Sequence, residues 1–192
     1  MIQPIAKLRF VERYCSPSDG WSVFVDIDAS EEGRTGSERR TATALARHAR
    51  VLEEAPLAVR QLEEIGAFVG DRKRKWINHF GTGLAVPRGD RDIIAVHQDR
   101  RLLWVVEVEG DSGGQPEGKI YKALGQLLCA VTESRLDGFE SSFTLVAWGD
   151  AVAVHLARAR AASQIGISGL AIAEVVVDDR WLFGRPVHLE TS

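Results

Sequence analysis

Between residues 92 and 126 the chain places carboxylates inside apolar runs, and this restricts its folding more than any other feature. The stretch reads Asp92-Ile-Ile-Ala-Val, then Trp104-Val-Val-Glu107-Val-Glu109-Gly, then Lys119-Ile-Tyr-Lys122-Ala-Leu-Gly-Gln126. Residues 91–97 and 102–109 read as strands, and the short turn Asp99-Arg-Arg101 between them predicts an antiparallel hairpin. Glu107 and Glu109 are two residues apart, so on a strand their side chains leave the same face. Asp92 opens the neighbouring strand and brings a third carboxylate alongside, with Asp90 as the alternative for that place. Carboxylates gathered in this way repel unless a cation neutralises them or some hold a proton. Oxygen-only donors suit Mg²⁺, or Mn²⁺ as its substitute, and not zinc. The competing reading is an exposed strand with Val106 and Val108 packed inside and both glutamates in water.

A helix is expected from Pro116 to about residue 131. At about 100° per residue, Lys119, Lys122 and Gln126 fall within roughly 60° of one another on its surface. Ile120, Leu124, Leu127 and Val131 fill the adjacent sector. Packing by that apolar sector leaves a Lys/Lys/Gln seam at the helix edge, facing the acidic strand. Lysine placed there stabilises charge on a phosphate, and glutamine orients a water or a phosphate oxygen. A solvated helix face is the plainer reading of the same lysines.

Asp92, then E-x-E at Glu107 and Glu109, then a helix bearing lysine and glutamine, resembles the core of the PD-(D/E)xK, or restriction-endonuclease-like, nucleases. The resemblance covers about residues 56–177. It implies an α/β fold in which helices flank a mixed sheet, with Asp92 and Glu107 as Mg²⁺ ligands. It also implies a metal-dependent endonuclease acting on DNA and, because such enzymes often cut both strands, a homodimer. The third motif position is usually lysine and here is Glu109. Two variants of the family accommodate this: a glutamate that acts on the water or the metal, or a lysine moved to the following helix, here Lys119 or Lys122. Arg91 stands where the family has proline. The expected reaction is phosphodiester hydrolysis in restriction or DNA processing. A catalytically inactive member that binds nucleic acid or protein is the alternative.

Outside that core, residues 5–14 and 21–28 read as two strands of an N-terminal hairpin across the turn-rich residues 16–20. A helix from Ser37 to about residue 54 follows, and Pro56 is expected to open a second helix to about residue 69. Residues 1–55 thus form a hairpin-and-helix extension packed on a core of residues 56–192, in one compact domain. Arg39, Arg40, Arg47 and Arg50 lie within about 100° of helical arc, opposite Ala42, Leu45, Ala49 and Leu52. Together with Arg72 and Lys73 in the basic run 72–75 they are candidate phosphate contacts. Residues 76–80 suggest a short strand, 143–149 a strand, 150–164 a helix and 170–177 a last strand.

Composition sets the outer limits. A hydrophobic content of 45% over 192 residues supports a folded core, and a net charge of -3 gives no basic signature over the whole chain. Cys15 and Cys129 form no metal-binding pair with the dispersed histidines, so free thiols in a reducing cytoplasm are expected. No run is long and apolar enough for a membrane span, and the N-terminus lacks the layout of a signal peptide.

Overall fold

The computed structural model describes residues 2–27, 42–85, 91–110, 116–148, 170–177 and 180–181. Its centre is the expected hairpin. Strands β4 (Ile93–His97) and β5 (Leu102–Glu109) pair antiparallel, with Ile93 opposite Val106 and His97 opposite Leu102. The connecting turn closes with the Arg101 amide donating to the Gln98 carbonyl. Arg101 itself sits at φ 51°.

On one side of the hairpin, β1 (Trp21–Val25) pairs antiparallel with β4, and the two-residue β2 (Phe68–Val69) pairs parallel with β1. On the other side, β7 (Glu140–Trp148) and β8 (Leu170–Val177) add in parallel, and β9 (Arg180–Trp181) closes the edge. The resulting sheet has seven strands in the order β2-β1-β4-β5-β7-β8-β9. A separate two-stranded pairing joins β3 (Leu84–Ala85) to β6 (Arg135–Leu136). The expected mixed sheet flanked by helices is therefore present.

Alternation along the strands divides the core into two layers. Trp21, Val23, Val25, Ile93, Ala95, Trp104, Val106 and Val108 face helices α1 (Gln3–Tyr14) and α2 (Ala42–Glu64). Phe24, Ile94, Val96, Leu103, Val105 and Leu145 face α3 (Lys73–His79) and α4 (Pro116–Glu133). Buried polar groups are paired where the layers demand it. The Trp104 indole donates to Thr144 Oγ1 at 2.8 Å, and the Trp76 indole to Ser22 Oγ at 2.9 Å.

Three expected elements differ. Residues 5–14 are not a strand but part of α1, so there is no N-terminal hairpin. Buried Pro4, Lys7, Leu8, Val11, Tyr14 and Cys15 recur at helical spacing, and only Arg9, Glu12 and Arg13 are exposed, as one ridge. The helices expected on either side of Pro56 are a single α2 with that proline inside. Its buried seam of Ala55, Ala58 and Leu62 runs on past the proline, and packing of that seam offsets the lost backbone bond. Upstream of it, Leu45, Ala49 and Leu52 face solvent and not the core.

Residues 76–80 belong largely to α3. Lys73, Trp76, Ile77 and Phe80 take the inward positions at i, i+3, i+4, i+7, and Trp76 is fully buried against Phe24. The boundary expected at residue 55 falls inside α2, and β1 lies within the main sheet. The expected helix over 150–164 lies outside the described residues. Among the described residues, no helix is long and apolar enough to cross a membrane.

Two glycines separate close packing from open space. A Cβ on Gly110 would lie 2.7 Å from the Gln3 amide nitrogen and 2.9 Å from its Cα, whereas a Cβ on Gly125 in α4 would meet nothing within 4 Å. Urea denaturation should show Gly110→Ala losing about 1–3 kcal/mol, because α1 must back away from β5. Gly125→Ala should gain about 1 kcal/mol of helix propensity. Equal behaviour of the two variants would contradict this docking of α1.

Candidate metal and phosphate site

The site forms where the C-terminal ends of β1 and β5 meet the start of β4. Carried on by one residue, the hairpin register that sets Ile93 opposite Val106 sets Asp92 opposite Glu107. Like charges directly across a ladder repel, and here Glu107 is buried while Asp92 stays partly exposed. Asp92 is held from several directions. Its Oδ2 accepts the Val108 backbone N–H at 2.6 Å, and Gln3 Nε2 lies 3.3 Å from Oδ1 and 3.5 Å from Oδ2. Lys7 Nζ stands 2.7 Å from Oδ1 and also donates to the Asp26 carbonyl at 2.6 Å. Asp26 in turn donates its backbone N–H to the Asp92 carbonyl at 2.9 Å.

Glu107 is 3% exposed. Its Oε1 lies 3.6 Å from Arg91 Nη1, which is ion-pair distance without a hydrogen bond, and that oxygen has no hydrogen-bond partner. Arg91 Nε is likewise without one. Burial first, and the Asp92 charge second, raise the Glu107 carboxyl from about 4.5 to about 9, against the opposing pull of Arg91 and Lys7. Burial and the facing Asp92 thus favour the protonated form of Glu107. Glu109 is also raised, chiefly by burial and further by Asp92. Lys119 and Lys122 oppose that rise. Lys119 Nζ lies 3.6 Å from Glu109 Oε2.

The structure thus brings Asp92, Glu107, Glu109 and Lys119 to one place, with Lys122 in electrostatic reach. Gln126, one turn further along α4, is half-buried, and no contact ties it to the carboxylates. The carboxylates do not form a closed ligand set. Among the described residues, no three His, Cys, Asp or Glu side chains group closely enough to hold a metal ion. Asp92 and Glu107 form the nearest pair, while Glu109 turns to Lys119. This pair fits a hard cation by chemistry, because its donors are oxygens and one of them is unpartnered among the described residues.

The basic candidates have partners of their own. Arg50 makes an i,i+4 ion pair with Glu54 at 3.0 Å, and Arg72 pairs with Glu63 at 3.0 Å. Lys73 Nζ lies 5.6 Å above the Phe24 ring. Arg39, Arg40, Asp90 and the Arg47 side chain lie outside the described residues. Lys7, Gln3 and Arg91 are the site residues that sequence reasoning missed. Their one sequence signal is Lys7, a lysine set among Ile5, Ala6, Leu8 and Phe10. Compared with known proteins, the chain matches no family model, no curated sequence and no solved structure.

The raised Glu107 carboxyl has a measurable consequence for stability. The folded state binds this proton more tightly than the unfolded chain does, so its contribution is complete below about pH 4.5 and declines until about pH 9. Urea denaturation across this window should show wild-type stability falling relative to Glu107→Gln by up to about 1 kcal/mol per pH unit. Parallel pH curves for the two proteins would mean that Glu107 is ionised in the fold.

Proposed function

We propose that this protein is a Mg²⁺-dependent endonuclease with a restriction-endonuclease-like core, hydrolysing phosphodiester bonds in DNA. The observation that carries the reading is the placing of Asp92 opposite buried Glu107 across the hairpin, with Glu109 and Lys119 beside them. Asp92 and Glu107 are the residues that would hold Mg²⁺ or Mn²⁺. When bound, such an ion neutralises phosphate charge and acidifies a water molecule.

The chain's own groups account for the remaining requirements. Glu109, with its raised carboxyl, accepts the proton of the attacking water as the new P–O bond forms. Lys119 and Lys122, at the start of α4, stabilise the negative charge that builds on the phosphate oxygens as the old P–O bond breaks. Gln126 extends the same helix face and orients a phosphate oxygen.

A second reading has its own support. The ammonium of Lys7 on Asp92 and that of Lys119 near Glu109 already neutralise two of the carboxylates. That arrangement favours a non-catalytic member of the same fold, one that binds nucleic acid or protein. Nicking of supercoiled plasmid in Mg²⁺ or Mn²⁺ decides between them. The endonuclease reading predicts cleavage by wild type and a loss of about 100-fold or more in Asp92→Ala and Glu107→Ala. No cleavage by wild type, with no Mn²⁺ binding by calorimetry, leaves the binding-module reading.

A further inference from the structure

Lys7 is among the largest fully buried side chains of the molecule, at 0% exposure. Withdrawing an ammonium from water is costly unless specific partners replace its hydration. Two of the partners here are oxygens of the candidate site, Asp92 Oδ1 at 2.7 Å and the Asp26 carbonyl at 2.6 Å. Gln3, one turn earlier on α1, adds its amide to the same carboxylate. Across the ladder, buried Glu107 keeps Oε1 without a hydrogen-bond partner. Carboxylate and carbonyl oxygens form the kind of seat that hard cations take, and in this fold a cation from the chain itself sits in it.

We infer that Lys7 is the resident counter-cation of the Asp92 seat and sets its affinity for divalent ions. This inference rests on the reading of Asp92 as a cation-binding residue. Its physical basis is charge. A divalent ion reaching Asp92 meets a fixed positive charge a few ångströms away, inside the protein, where screening by solvent is weak. The ion must bind against that repulsion or displace the ammonium. Lys7 is therefore a specificity-determining residue. It favours a divalent cation that arrives with a further anion, such as a phosphate group, over one that arrives alone. Arg91 and Lys119 place two more positive charges around the same carboxylates, each 3.6 Å from its own glutamate.

Mn²⁺ titration calorimetry at one fixed pH tests the role, on wild type, Lys7→Met, Lys7→Gln and Lys7→Arg, each first checked for cooperative thermal unfolding. Lys7→Gln keeps a hydrogen-bond donor and serves where Lys7→Met does not fold. Removing one unit charge so close to the ligand should tighten Mn²⁺ binding by about tenfold or more in the neutral variants. Lys7→Arg should remain near wild type, and adding Asp92→Asn to Lys7→Gln should abolish the gain. Unchanged or weaker binding in the folded neutral variants overturns the inference, even where wild type nicks plasmid and the endonuclease reading stands. Tight Mn²⁺ binding by the neutral variants without plasmid cleavage by any of the proteins supports the inference and removes the endonuclease reading. Absence of Mn²⁺ binding in all of them overturns both.

Discussion

The carboxylate of Asp92 is the tie on which the rest of the site depends. It joins four elements at one end of the sheet: it begins β4, accepts from β5 at Val108, and receives Gln3 and Lys7 from α1. Through Lys7 it also reaches the end of β1 at Asp26. A carboxylate so enclosed would be a liability in an apolar interior if left alone. Surrounded by donors and an ammonium, it becomes a fixed point that sets the positions of its neighbours. Burial, and then the facing Asp92, favour the protonated form of Glu107 in this arrangement.

Helices on opposite layers contribute to the same end of the sheet in different ways. On the α1 side the contact is tight and neutralising. Gly110 lets the first turn of α1 lie against the end of β5, which delivers Gln3 and Lys7 to Asp92. On the α4 side the contact is looser. Ile120, Ala123, Leu127 and Ala130 pack on the sheet and leave Lys119 at the rim and Lys122 exposed. The carboxylates thus have one side closed by the protein and one side lined with accessible ammonium groups. An anionic ligand approaching from the α4 side meets positive charge first.

Much of this was legible in residues 92–126. The short turn between two apolar runs defines the β4–β5 hairpin, and its register alone sets Asp92 beside Glu107. Pro116 and the spacing of Ile120, Leu127, Lys119 and Lys122 define α4 and its two faces. The N-terminal helix was not legible by the same means. Burial around most of its circumference replaces a single apolar stripe with a nearly continuous apolar run, and the buried Lys7 looks like an outward-facing residue. Only the polar ridge of Arg9, Glu12 and Arg13 carries the helical period. In α3, the charged residues 72–75 hide the spacing of Lys73, Trp76, Ile77 and Phe80. The contact between Gln3 and Asp92 spans 89 residues, and no local pattern encodes it. Of the arginine contacts, the pair of Arg50 with Glu54 one helical turn on is legible in the sequence, whereas that of Arg72 with Glu63 is not.

As proposed, Asp92 and Glu107 together hold a cation at the end of the hairpin. The most direct measurement is anomalous diffraction from a crystal of the protein soaked in Mn²⁺. An anomalous peak is expected at coordination distance from oxygens of both Asp92 and Glu107, with the Lys7 ammonium moved off Asp92 or held there by an added anion. A well-ordered site without such a peak, with Lys7 still on Asp92 and Glu107 beside it, would contradict it.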